Sequence, residues 1–118
     1  MFQPLPNLFC LIDKALQRKP YRLNVDNWHG MPDGSEACTP HQILHPECRH
    51  DVAGWVVMLT HGATEYECGD PTVEVDVLAN KILQKGLYSP IPWGILYGTE
   101  DDQRNFIKRR ADVERSFN

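Results

Sequence analysis

The sequence predicts an all-α domain, a compact bundle of about four main helices with short extra helical turns around a buried central helix. Three observations carry this prediction. Apolar residues recur at three- and four-residue spacing after Asn7 and again in the stretch that ends at Gly86. The most apolar run of the chain lies between Pro46 and Gly62, residue types that are typical of a helix start and a helix stop.

The first helix is predicted over 8–18. Asn7 is the expected N-cap, because its side chain accepts hydrogen bonds from the free amides of a first turn. Pro20 ends the helix. The following segment, 21–38, is less regular and could contain a short strand. Since no second strand is evident nearby, a loop anchored by Trp28 is the favoured interpretation.

Thr39 and Pro40 are typical of the N-cap and first position of a short helical turn over 41–44. The central helix is then predicted to begin at Pro46 and to end at Gly62. A competing interpretation makes 52–60 a buried strand, because several of its residues are β-branched. The Pro start and the Gly stop favour the helix.

Asp70-Pro71 predicts the start of a third long helix, which Gly86 ends. A short turn should open at Ser89-Pro90. It would place four apolar residues against the core: Ile91, Trp93, Ile95 and Leu96. Thr99 and Asp102 resemble a capping box for a last helix over about 100–113, and the tail from about Glu114 is expected to fray.

Length and charge limit the class of protein. The 118 residues predict a single globular domain, 1–118. A net charge of −4 argues against a nucleic-acid-binding surface, which needs clustered Lys and Arg. No apolar run approaches the roughly 20 residues of a membrane span, and the start lacks the features of a signal peptide. We therefore expect a cytoplasmic protein with reduced cysteines.

At Ala53-Gly54-Trp55 the chain resembles a group of small uncharacterised bacterial and phage proteins. Their recurring pattern is Cys-Gly-Thr-x-x-Cys-x-Ala-Gly-Trp, preceded by a helix and a Trp-containing loop. Asp51 stands where that pattern has its second cysteine. The resemblance implies a compact helical domain and carries over no activity.

One cluster of potential metal ligands precedes the central run. It has the spacing Cys-x2-His-x3-His-x2-Cys and consists of Cys38, His41, His45 and Cys48. Zinc takes four such ligands at tetrahedral corners, and two histidines four residues apart share one face of a helical turn. The opposing arguments are Pro46, which disfavours helix at His45, and the lack of a zinc-finger spacer. Zinc, structural rather than catalytic, is therefore an alternative to a protein without cofactors.

Enzymatic function is the less favoured hypothesis. Cys48 could act as a nucleophile, but His50 should point to another face and His61 lies too far along the helix. An acidic set that could bind metal or transfer protons is better explained by the preference of helix starts for negative charge: Asp70, Glu74, Asp76 and Glu100-Asp101-Asp102. No catalytic residues are assigned.

The leading hypothesis is a non-enzymatic domain that acts through contacts with a protein partner, as an accessory or regulatory protein of a bacterium or phage. Aromatic residues concentrate at interface hot spots. Of five Trp and Tyr residues considered, Tyr88 and Trp93 are the candidates for partner binding, because they lie in a Pro-punctuated segment. The competing interpretation, which is the favoured one for Trp93, is that both cap the helical core.

Overall fold

The computed structural model describes residues 7–61, 74–86 and 88–116. Its helices are α1 (Leu8–Arg18), α2 (Pro40–Ile43), α3 (Val52–His61), α4 (Val75–Lys85), α5 (Trp93–Leu96) and α6 (Glu100–Ser116). Two short antiparallel strands, β1 (His29–Gly30) and β2 (Arg49–His50), form a small sheet. The prediction of a mainly helical bundle is confirmed.

The core is built around α3. This helix packs against α4, while α1 packs against α6, and both pairs contribute to one continuous apolar cluster. All residues from Val52 to Val57 are buried. The Trp55 indole fills the centre and donates a hydrogen bond to the Arg22 carbonyl oxygen at 3.2 Å. The segment 52–60 is therefore helical, and the alternative of a buried strand is wrong.

The central helix begins later than predicted. Residues 49–50 form β2, so Pro46 lies in a turn and α3 starts at Val52. Asp51 accepts a hydrogen bond from the Gly54 amide at 2.7 Å, and the buried Gln103 side chain accepts one from the Val52 amide at 2.8 Å. These partners satisfy amides that the first helical turn leaves free, which stabilises a start at this point. Gly62 lies outside the described residues.

The first helix has its predicted bounds but a different cap. Asn7 lies in the left-handed region, with φ of 65°, and its side chain makes no capping hydrogen bond. The carboxylate of Glu114 instead accepts from the amides of Phe9 and Cys10, at 3.1 and 2.7 Å. The last helix consequently continues through Glu114 to Ser116, where the sequence predicted a frayed tail.

Other local predictions are confirmed. Thr39 and Gln42 form a capping box around α2. The Thr99 hydroxyl accepts from the Asp102 amide and the Asp102 carboxylate from the Thr99 amide, both at 3.1 Å. Gly86 is the C-cap of α4. Asp70-Pro71 lies outside the described residues, but the predicted helix start there is wrong for α4, which begins at Val75 with the extended residue Glu74 as its N-cap. No helix in the described part of the chain is long and apolar enough to span a bilayer.

Candidate functional site

An exposed aromatic pair marks the region around α5. Trp93 and Tyr97 are 63% and 64% exposed, although both are large and partly apolar. Their rings stack at 5.4 Å with an interplanar angle of 9°, because residues four apart lie on one side of a helical turn. Trp28 meets Tyr97 edge-to-face at 6.4 Å. These three residues, Trp28, Trp93 and Tyr97, are called the aromatic face below.

A cavity of about 440 Å³ adjoins the aromatic face. Its lining residues include two aromatic ones, Trp28 and Tyr97, and three acidic ones, Asp26, Glu36 and Asp51. The described residues that line it include no Lys or Arg. The cavity therefore combines aromatic walls with acidic groups that have no cationic side chain beside them in the lining.

Asp51 is the most unusual of these acids, because it is only 2% exposed. Burial raises the pKa of its carboxyl group to about 8, and the nearby Asp76 carboxylate acts in the same direction. The hydrogen bond from the Gly54 amide opposes the shift but does not cancel it. Asp51 is therefore mostly protonated at neutral pH, although it is one of the residues that line the cavity.

Asp76, on the first turn of α4, holds Tyr97 in place. Asp76 is buried, and its Oδ2 accepts a short hydrogen bond from the Tyr97 hydroxyl. This bond raises the pKa of Tyr97 to about 12. One end of the Tyr97 ring is thus fixed while its face remains exposed, which orients the aromatic face before any ligand arrives.

A buried histidine pair positions Trp28. His29 in β1 faces His50 in β2, with their Nδ1 atoms 2.7 Å apart, so one ring donates and the other accepts. Burial lowers the pKa of His50 well below 6.5, and the neighbouring His29 and Arg22 add to the shift. His50 is therefore neutral at pH 7.

Gly54 lets the loop that carries Trp28 pack closely against α3. A Cβ atom on Gly54 would lie 2.0 Å from the Trp28 carbonyl oxygen, so only glycine allows the loop to approach α3 so closely. The prediction of a loop without a strand at 29–30 is wrong, because the partner strand comes from a distant part of the chain.

The four predicted zinc ligands are all in the described part of the chain. Cys38 is exposed, whereas Cys48 is buried and its thiol donates to the Arg49 carbonyl oxygen at 3.8 Å. His45 accepts a hydrogen bond from the Glu47 amide at 3.0 Å. Among the described residues, no group of three or more His, Cys, Asp or Glu is placed to hold a metal ion. The zinc hypothesis stays a prediction that the geometry does not support.

Cys48 is also a poor candidate for a nucleophile. Burial raises the pKa of its thiol above the ordinary value, although Arg22 acts in the opposite direction. The thiolate is the reactive form, so a raised pKa lowers reactivity at neutral pH. His50, the neighbouring candidate base, is engaged with His29.

The two predicted partner-binding aromatics have different environments. Trp93 is exposed, as that prediction requires, although its ring does not pack against the core as the predicted short turn implied. Tyr88 is half-buried and meets Phe9 edge-to-face at 5.7 Å. Its hydroxyl donates to Glu114 at 2.8 Å, and burial raises its pKa to about 12. Tyr88 is thus engaged within the fold, and Tyr97 is the better companion of Trp93.

Asp76 and Tyr97 were not assigned to a functional site from the sequence. The i, i+4 spacing of Trp93 and Tyr97 was a usable signal for an aromatic pair. Asp76 gave no comparable signal, since an acid in a first helical turn is ordinary. Its bond to Tyr97 joins the first turn of α4 to the residue that follows α5, two places that are about twenty residues apart along the chain.

No known family model, no curated protein and no solved structure matches this chain. The similarity at Ala53-Gly54-Trp55 therefore stays a resemblance. A function for this protein rests on the aromatic face and the cavity.

Proposed function

We propose that this protein is a non-enzymatic domain that binds a basic segment of a protein partner through the aromatic face. Such a domain suits an accessory or regulatory protein of a bacterium or phage. The observation that carries the proposal is the exposed Trp93–Tyr97 stack beside a cavity lined by carboxyl groups.

The exposed stack favours binding of another molecule. Large aromatic side chains bury roughly 150–250 Å² each in cores and interfaces. Trp93 and Tyr97 bury only about a third of their surface within the chain. Because Asp76 already holds Tyr97, little side-chain entropy is lost when a partner covers this ring.

The charge around the stack favours a basic partner. The chain carries a net charge of −4, and the exposed acids Glu100 and Asp101 begin α6 directly after the aromatic face, with Glu100 in an ion pair with Arg104 at 3.5 Å. Asp26 and Glu36 lie at the cavity. Clustered charge of one sign attracts partners of the opposite sign and raises their association rate, with an effect that falls as salt rises.

A second cavity, on another side of α5, is lined by Arg109 and Arg110. The Arg110 guanidinium is occupied within the fold, because it donates to the carbonyl oxygens of Ser89 and Pro90 at 2.6 and 3.1 Å. It also lies 4.4 Å from the centre of the Phe106 ring. Asp102 also lines this second cavity, so its charge is mixed, whereas the acidic residues of the first cavity have no Lys or Arg beside them in the described lining.

Peptide-display selection against the immobilised protein tests the proposal. The wild-type protein should enrich sequences with Lys or Arg, and Trp93→Ala should lose most of this enrichment. Val113→Ala is the matched control, since Val113 is also an exposed apolar residue but lies on α6, away from the aromatic face. Synthetic peptides from the selection should bind more weakly as salt rises. No enrichment, or enrichment of acidic sequences, would refute the proposal.

A further inference from the structure

We propose that the cavity beside the aromatic face binds a single cationic group, the guanidinium or ammonium at the end of an Arg or Lys side chain. This inference rests on the proposed function and deepens it, because it assigns the cavity to one side chain of the basic partner segment.

The cavity has the walls that such a ligand needs. Trp28 and Tyr97 line it, and aromatic rings attract a cation that lies within about 6 Å of the ring centre. The volume of about 440 Å³ lies within the range of small-molecule sites, roughly 300–1,000 Å³. An Arg or Lys side chain would fill part of it and leave its backbone to contact the exposed stack.

Asp51 supplies an anionic partner inside the cavity. Its Oδ1 accepts from the Gly54 amide, and a carboxylate has about four lone-pair sites, so capacity for an N–H donor of the ligand remains. A charged hydrogen bond in a largely buried place is stronger than one in water. Asp26 and Glu36 add negative charge from the loop side.

The groups that face Asp51 explain its proton and what a cation would do to it. Burial is the main reason why Asp51 keeps its proton, and the Asp76 carboxylate on α4 acts in the same direction, while the Tyr97 hydroxyl and His50 are neutral at pH 7. With no cationic side chain in the described lining, Asp51 keeps its proton at pH 7. A bound cation favours the carboxylate and lowers the pKa.

Binding should therefore release a proton to the buffer. The neutral carboxyl group and the free cation become a carboxylate paired with the bound cation, plus one proton, so charge and atoms balance. A merely nonspecific acidic surface would not release a proton, because exposed carboxylates are already ionised at pH 7.

Titration calorimetry measures this release directly. Nα-acetyl-arginine amide and Nα-acetyl-lysine amide would be titrated at pH 7 in two buffers with different ionisation enthalpies. We expect affinity on the order of millimolar, as suits one side chain, and release of close to one proton per bound ligand with at least one of them. Nα-acetyl-citrulline amide, which has nearly the shape of the arginine compound without its charge, should not bind.

Two variants test whether Asp51 is the group that releases the proton. Asp51→Asn should abolish proton release and weaken binding roughly tenfold or more, the effect of losing one charged hydrogen bond. Asn is itself a good N-cap, so the variant should fold, which circular dichroism would verify. Asp112→Asn is the control, because Asp112 is exposed on α6 and outside the cavity lining.

The outcomes separate the two proposals. Absence of binding by both cations, equal binding of citrulline, or proton release that persists in Asp51→Asn would overturn the cavity assignment. If any of these results is obtained but the protein still selects basic peptides in a way that depends on Trp93, the proposed function stands without the cavity. Cation binding without any peptide selection would support the cavity and refute the docking role of the aromatic face.

Discussion

Replacing Asp51 by Asn should stabilise the protein, and the gain should grow with pH. In the unfolded chain the carboxyl group ionises near its ordinary pKa of 3.8, whereas in the folded protein burial raises this pKa to about 8. Below pH 3.8 both states are protonated, so the carboxyl group costs no stability. Between 3.8 and 8 the unfolded chain loses the proton first, so stability falls as pH rises.

The size of the effect follows from the difference between the two pKa values. Each pKa unit corresponds to about 1.4 kcal/mol, so the full cost above pH 8 is on the order of 6 kcal/mol at most. Solvent that reaches the cavity lowers this figure. Asn keeps an oxygen that can accept from the Gly54 amide, so the substitution removes the charge and keeps the helix cap.

Urea unfolding followed by tryptophan fluorescence, for both proteins between pH 5 and pH 9, measures this prediction. The difference in free energy of unfolding should rise by about 1.4 kcal/mol per pH unit up to pH 8 and then level off. Protonation of His50 affects both proteins and cancels in the difference. A difference that stays constant across this range would refute the assignment of a protonated Asp51.

Three further predictions concern the fold and the metal. Gly54→Ala should destabilise the protein by about 1–3 kcal/mol or more, because the new methyl group meets the Trp28 carbonyl oxygen. In the control Gly94→Ala the methyl group meets nothing within 4 Å, so this variant should be more stable by about 0.5–1 kcal/mol. The reverse order of stability in chemical denaturation would contradict this prediction. Glu114→Ala should lower the free energy of unfolding by about 1–3 kcal/mol, because two amides of α1 lose the carboxylate that accepts their hydrogen bonds. The control Asp112→Ala should change the free energy of unfolding by less than about 0.5 kcal/mol. Equal denaturation midpoints for the two variants would contradict the capping role of Glu114. The zinc hypothesis expects near-stoichiometric zinc by elemental analysis of protein purified without added metal, and metal-free protein whose Tm is unchanged in chelator would exclude it.

The helices with local signals could be predicted closely. The capping box of Thr99 and Asp102 lies within four residues, as does the turn that begins at Thr39 and Pro40. Such signals depend on groups that are close along the chain, so their geometry is largely set before the chain collapses. Trp93 was also assignable as an exposed aromatic candidate from its Pro-rich surroundings.

The wrong predictions concern features that depend on contacts between residues far apart along the chain. The start of α3 depends on β2, whose partner strand lies about twenty residues earlier, and on Gln103 from α6. The cap of α1 comes from Glu114, near the other end of the chain. Pairings between distant residues leave no periodic pattern in the sequence, so Pro46 was taken as the start of the central helix and the Asn7 side chain as the cap of α1.

The sequence by itself determined the helical class, the apolar centre around Trp55 and the bounds of α1, because each depends on the spacing of residues within a few turns. Only the tertiary structure decided the candidate site. It places Asp51 between a loop and the start of α3, and it brings Asp76 of α4 to the hydroxyl of Tyr97. The pKa of a carboxyl group depends on solvent exclusion and on charges from other elements, and neither is visible along the chain.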